Sequence, residues 1–232
     1  MNGRFKLLVF DWDGTLMDSE ARIIACMQEA ARDAGLAVPD RQAVRNIIGL
    51  GLEEAVRTLF PRHGKLAPTL VERYRFHFLQ ANTTPSALFA GAAEVLYALA
   101  EEGYFMAVAT GKGRQGLDMV LKETGLGPLF HATRTADETF SKPNPEMLFQ
   151  VMNAVGVGAA ETLMIGDSEY DLRMASNARV ASLAVSYGVH EPERLLRHRP
   201  LGCLDDIGEL TGWLRRHGGA VSTGCDAVNL HE

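Results

Sequence analysis

Two aspartates, Asp11 and Asp13, close the short apolar run Leu7-Leu8-Val9-Phe10 and are followed by Gly14, Thr15, Asp18 and Ser19. Carboxylates one residue apart repel each other unless a cation lies between them, and an oxygen-rich neighbourhood suits a hard ion such as magnesium. The pair can also divide labour, one staying ionised as a nucleophile while the other carries a proton. Asp-Gly after a strand is also an ordinary turn, so the rest of the chain must decide. Three further segments carry chemistry: Thr110-Gly111-Lys112, then Ser141-Lys142-Pro143-Asn144-Pro145, then Gly166-Asp167-Ser168 with Asp171 three residues on. Singly, Thr110 reads as a strand-end hydroxyl, Lys142 as a solvated charge, Asp167 as a helix cap and Asp171 as a first-turn acid. Jointly they supply two carboxylates, a hydroxyl, an ammonium and two more carboxylates. Phosphoryl transfer needs that inventory, because its catalysis is chiefly positioning and neutralisation of negative charge.

These groups can meet only if each sits at the end of a strand and the strands are neighbours. The run before Asp11 has the length and composition of a buried parallel strand, and ligands of such sheets gather at the strands' carboxyl ends. Extended geometry points Asp11 and Asp13 to one side and Trp12 to the other. Gly14 then lets the backbone turn sharply. Helix-like patterns follow at about 19–34, stopped by Gly35, and at 41–48, 52–60 and 66–79, with no strand pattern among them. Beyond Ser86 the chain alternates: helix 92–102, strand 105–109, helix 117–124, a weak strand 132–135, helix 145–155, strand 163–165, helix 170–178, strand 180–185 and helix 207–216. Such alternation predicts an α/β fold, a Rossmann-like doubly wound parallel sheet with a small inserted α-helical domain. Residues 1–16 and 85–218 are expected to form the core, 17–84 the helical cap and 219–232 a flexible tail.

The 232 residues suffice for one sizeable core and a small accessory domain. A net charge of −6 argues against a general nucleic-acid or membrane-surface binder, though a local lysine and a metal can still attract a small anion. No apolar run is long enough to span a bilayer, and the first six residues do not resemble a secretory signal. Cys26, Cys203 and Cys225 are scattered, which predicts a reducing cytoplasm, and the dispersed histidines make a zinc site unexpected.

On these residues the chain resembles the haloacid-dehalogenase-like hydrolase superfamily, in particular its phosphoglycolate-phosphatase-like branch. Its four signatures are matched by Asp11-Trp12-Asp13-Gly14-Thr15-Leu16-Met17-Asp18-Ser19, by Thr110, by Lys142 in Ser-Lys-Pro, and by Gly166-Asp167-Ser168-Glu169-Tyr170-Asp171. The helical insertion looks like that family's cap. The resemblance implies an enzyme, a magnesium-dependent phosphatase working through an aspartyl-phosphate. Asp11 would attack phosphorus and bind Mg2+. Asp13 would protonate the leaving oxygen, deprotonate water and ligate the metal through its backbone carbonyl. Thr110, with Gly111, and Lys142 would hold the phosphoryl oxygens, Asp167 would complete the metal site, and Asp171 would assist there, directly or through water. The acid at Asp13 argues against a carbon–halogen substrate, since dehalogenases resembling this fold lack it. Two departures stand out: Arg179 occupies a position often held by Gly, and Asn144 one often held by His.

The implied substrate is a small phosphorylated metabolite, with phosphoglycolate leading and a sugar phosphate, nucleotide or pyrophosphate as alternatives, handled by a monomer or homodimer. Arg45, Arg57, Arg75, His77 and Arg114 are candidates to reach a second anionic group, although each also reads as an exposed helix charge. A phosphomutase of the same family, akin to those acting on β-phosphoglucose, shares the core chemistry. More distant is a nicotinamide-dinucleotide oxidoreductase. Gly111-Lys112-Gly113-Arg114-Gln115-Gly116 fits the dinucleotide pattern, with Asp137 or Glu138 near the position of a ribose-binding acid. That reading leaves the two-aspartate strand, Lys142 and the Gly-Asp-Ser segment unexplained.

Overall fold

A computed structural model describes residues 4–217. In chain order its elements begin with β1 (Leu7–Phe10), β2 (Met17–Asp18), α1 (Glu20–Asp33), α2 (Arg41–Arg45), α3 (Leu52–Leu59), α4 (Ala67–Phe76) and β3 (Ala87–Leu88). They continue with α5 (Ala92–Glu101), β4 (Phe105–Thr110), α6 (Arg114–Thr124), β5 (Ala132–Thr135), α7 (Glu146–Val155), β6 (Thr162–Gly166) and α8 (Glu169–Asn177). The last are β7 (Ala181–Val185), α9 (Pro192–Leu196), β8 (Cys203–Leu204) and α10 (Glu209–His217).

Six strands form one parallel sheet in the order β5-β4-β1-β6-β7-β8. The chain therefore builds outward from β1 in one direction, then returns to its other side, so the reversal of strand order lies at β1. A crevice opens at the carboxyl ends beside such a reversal. Alternation along β1 feeds two cores. Leu8, Phe10 and Trp12 pack with α5, α6 and α10, whereas Leu7 and Val9 pack with Met147, Leu148 and Val151 of α7 and with Met174 of α8. Burial on both faces accounts for the unbroken apolar sequence of the strand. Trp12 does face away from the side on which Asp11 lies.

Helices α1 to α4 lie between β2 and β3, which pair antiparallel as a two-residue ribbon. Their apolar faces bury one another: Ile23, Met27, Ala30 and Ala31 of α1 meet Val56 of α3, Leu70 and Val71 of α4, and Phe78. The stretch expected as one helix over 66–79 is broken. A 3-10 turn precedes α4 at Gly64–Leu66, and a π-helical turn follows it at His77–Ala81. Such a wide turn re-aims side chains and frequently accompanies functional sites; here it carries Phe78, whose role emerges below. The helix expected over 41–48 stops at Arg45, and that expected to start at Leu117 starts at Arg114. The ribbon, α9 and β8 were not legible in the sequence, and the tail expected over 219–232 lies outside the described residues.

Arg179, two residues past α8, holds the left-handed conformation with φ 57°. A side chain there is strained by about 1 kcal/mol. Arg179→Gly is therefore expected to raise stability by about 0.5–1 kcal/mol, read as a higher urea midpoint with an unchanged slope.

Candidate active site

The sheet brings the carboxyl ends of β1, β4 and β6 side by side, and the polar residues that follow each strand converge there. Asp11 leaves β1 with its N–H still bonded to the Ile165 carbonyl of β6 at 3.0 Å, so the first residue past the strand is held by the sheet. The chain then folds tightly over residues 12–17: the N–H groups of Leu16 and Met17 both donate to the Trp12 carbonyl, at 3.0 and 3.1 Å. Gly14, with φ +89°, makes the fold possible and also lets Asp167 approach, since a Cβ there would lie 2.2 Å from its Oδ2. Gly188 cradles the same aspartate from the opposite side, where a Cβ would also come within 2.2 Å.

Asp11, Asp167 and Asp171 offer carboxylate oxygens that all lie within 4.8 Å of one another, and all three residues are buried. One fully buried ammonium stands against them: Lys142 Nζ is 2.8 Å from Asp11 Oδ1 and 2.6 Å from Asp171 Oδ1. These are ion-pair distances whose angles fall outside hydrogen-bond range, and Asp11 Oδ2 is buried with no hydrogen-bond partner at all. Asp167 is held by Thr15 Oγ1 at 2.8 Å and by the Val189 N–H at 2.8 Å. Asp171 accepts from the Ser168 N–H at 3.1 Å and from its hydroxyl at 2.6 Å, capping α8 with one oxygen while the other faces Lys142. Asp171 is thus the first-turn acid that it reads as in isolation, and its bonds to Ser168 orient the second oxygen toward the cluster.

Three carboxylates and one ammonium leave an excess of buried negative charge, and the titration of the cluster reflects it. Burial pushes the Asp11 carboxyl well above its ordinary range; Lys142 pulls it back, and Asp171 and Asp167 push it up again. Asp167 is raised to about 7, by burial first and then by Asp171. For Lys142 burial opposes the charge, but Asp11 and Asp171 outweigh it and hold the ammonium above the ordinary lysine range. Hard oxygen donors, an orphaned carboxylate oxygen and uncompensated negative charge fit a divalent cation of the magnesium type.

Asp13 stands apart from that cluster. Its Oδ1 accepts from Ser19 Oγ at 2.6 Å and pairs with Lys112 Nζ at 2.9 Å. Ser19 occupies the N-cap position of α1 but makes no cap bond; its hydroxyl is spent on Asp13 instead. Thr110 is buried at the end of β4, and its hydroxyl accepts from the Lys112 N–H at 3.2 Å. A cavity of about 830 Å³ opens over Asp11, Asp13, Thr110, Gly111 and Lys112, and its far wall is Ile23, Met27, Tyr74 and Phe78 from the helical insertion.

The residues proposed for a second anionic group separate. Arg57 and Arg75 line the cavity. Arg45 is tied to Glu20 at 3.1 Å and Arg114 to Glu138 at 2.7 Å in ion pairs of their own, and His77 is hydrogen-bonded to Asp33 at 2.8 Å. The glycines of the dinucleotide-like segment have other duties. A Cβ on Gly111 would lie 2.5 Å from the Leu50 carbonyl of the insertion, and Asp137, the supposed ribose acid, caps α6 by accepting from the Arg114 N–H. Sequence reasoning placed Thr15, Ser19 and Lys112 inside its motifs without giving them a role, and it missed His190. The last is buried, is pushed down by burial to about 4, and accepts the Glu169 N–H on its Nδ1. Only the position of Lys112 directly after Thr110-Gly111 could have drawn attention to it.

A family model described as haloacid dehalogenase-like hydrolase matches residues 8–185. The chain is 34% identical over 211 residues to a probable phosphatase, IndB, of Dickeya dadantii, covering 89% of this chain and 92% of that one. It is 31% identical over 212 residues to a phosphoglycolate phosphatase of Pseudomonas syringae pv. tomato, covering 88% of this chain and 78% of that one. A solved structure from Haemophilus somnus 129pt, described as a predicted phosphoglycolate phosphatase, shares the fold with a TM-score of 0.82 over 90% of this chain and 98% of that one, at 24% identity. The chain belongs to the haloacid dehalogenase-like hydrolase family.

Proposed function

We propose that the protein is a divalent-metal-dependent phosphatase of small phosphorylated metabolites, with phosphoglycolate-like esters the leading class. The observation that carries this reading is the clustering of the Asp11, Asp167 and Asp171 carboxylates, two of them paired with the buried Lys142, with Asp13 and Thr110 lining the cavity that Asp11 also lines. The relatives named as phosphatases support it. In this reading the helical insertion is a cap, and substrate choice is made on its side of the cavity.

Asp11 attacks phosphorus, forming an O–P bond as the bond from phosphorus to the leaving oxygen breaks. Asp13 gives its proton to that leaving oxygen, then takes one from the water that attacks the aspartyl-phosphate, releasing phosphate and restoring both aspartates. Thr110, with Gly111, and Lys142 hold the phosphoryl oxygens, and Lys142 also offsets the charge of Asp11. Asp11, Asp167 and Asp171, with the Asp13 backbone carbonyl, would hold Mg2+. When bound, it neutralises charge on the phosphoryl group and on its own ligands.

The test is phosphate release from a metabolite panel, with and without magnesium. Release that depends on magnesium and disappears in chelator is expected. Equal release in chelator removes the metal from the reading, and no release from any ester removes the phosphatase.

A further inference from the structure

Lys112 is the second buried ammonium of the site, and neither the metal cluster nor the phosphoryl cradle uses it. Its side chain is 6% exposed. Its Nζ makes two contacts that join different parts of the molecule. One is the ion pair with Asp13 Oδ1 at 2.9 Å; the other is the ring of Phe78, whose centroid lies 4.3 Å away. Phe78 comes from the π-helical turn of the insertion, Lys112 from the loop after β4, and Asp13 from the loop after β1. The stem is accommodated by Gly116 of α6, where a Cβ would lie 3.1 Å from Lys112 Cγ. With Ser19 the ammonium occupies Oδ1 of Asp13, so that the carboxylate is gripped by one oxygen.

We infer that Lys112 is a positioning residue for Asp13, held in place by Phe78, so that the insertion helps to aim the group that moves the proton. The inference rests on the role proposed for Asp13. An ammonium over an aromatic face is attracted by the ring, and here that attraction places the charge where it can grip the carboxylate. A carboxylate whose aim slips by about 1 Å can lose on the order of 100-fold in rate. Such a loss has a signature. In kcat/KM, which ends once the leaving group has gone and so leaves out the water step common to all esters, it appears where the leaving oxygen needs a proton and vanishes where it does not, because p-nitrophenolate departs without one.

The experiment compares kcat/KM for two esters, the alkyl phosphate turned over fastest in the metabolite panel and p-nitrophenyl phosphate. In Lys112→Met, kcat/KM for the alkyl phosphate is expected to fall by about 10- to 100-fold. The p-nitrophenyl ester should lose no more than about twofold, and Lys112→Arg should recover part of the loss. Phe78→Leu reaches the same contact from the insertion and should show the same selectivity with a loss of about 3- to 10-fold; it decides the matter if Lys112→Met does not fold. Equal losses of kcat/KM on both esters, or no loss on either, overturn the inference and leave the phosphatase standing. A native enzyme that hydrolyses neither ester overturns both.

Discussion

Asp11→Asn is expected to abolish turnover, with a fall of at least about 10⁴-fold in kcat, the scale on which removal of a nucleophile is felt. The amide is nearly isosteric, so its effect on packing is small, but it removes the attacking oxygen. It also removes one of the three carboxylates that lie within 4.8 Å of each other. Stability should move the other way. Burial holds the Asp11 carboxyl well above its ordinary range, so its ionised form costs folding free energy that a neutral amide does not. Reduced turnover with equal or higher stability is the expected pair of results from phosphate release and urea unfolding. Single-turnover phosphorylation of the Asp11→Asn protein would contradict the nucleophile assignment.

Lys142→Met has the second-largest effect, and here stability and activity fall together. The substitution leaves Asp11 and Asp171 buried without their only ammonium, at positions where Nζ lay 2.8 and 2.6 Å away. Breaking a buried ion pair from one side costs about 3–5 kcal/mol. The pH dependence follows from the direction of the Asp11 shift. Its folded pKa lies above the ordinary 3.8 even with Lys142 present, and losing the ammonium raises it further. The folded protein then binds more protons than the unfolded chain, so stability falls as pH rises. In metal-free buffer the variant should be about 3–5 kcal/mol less stable than the native protein at pH 8, with a smaller deficit at pH 5. Urea unfolding at the two pH values reads the difference, and an equal deficit at both would show that the loss is one of packing instead of charge. Turnover should fall by at least about 100-fold, as when a preorganised electrostatic partner is removed.

How far the sequence could be read depended on whether each feature is local. The strands β1, β4 and β6 announce themselves because burial on both faces demands continuous apolar residues, and a polar group at the end of each marks the crevice. Helix α1 was legible from its spacing and from Gly35, whose φ of +67° ends it. The ribbon β2–β3 was not, because two-residue strands hold no alternation to detect. The same is true of β8, whose Cys203-Leu204 is placed by the edge of the sheet. Within the site, Asp11, Asp13, Thr110, Lys142, Asp167 and Asp171 are each encoded by a short motif. Lys112 and Ser19 fall inside such motifs, but their roles are not legible there, since what makes them matter is contact with Asp13 from 99 and 6 residues away, and a solvated lysine and a helix cap look the same in sequence. The glycines from Gly111 to Gly116 show the converse. A pattern that suggests a dinucleotide loop is here demanded by close approach of the insertion, by the cap of α6 and by the stem of Lys112.

The most direct measurement is to catch the covalent intermediate. The native protein is mixed with its best ester and magnesium, quenched in acid within one turnover and reduced with borohydride, which converts an aspartyl-phosphate to homoserine. Peptide mass spectrometry should then find homoserine at position 11 and nowhere else, and none when the ester is omitted. Homoserine at another aspartate, or full phosphate release with position 11 never modified, would contradict attack by Asp11.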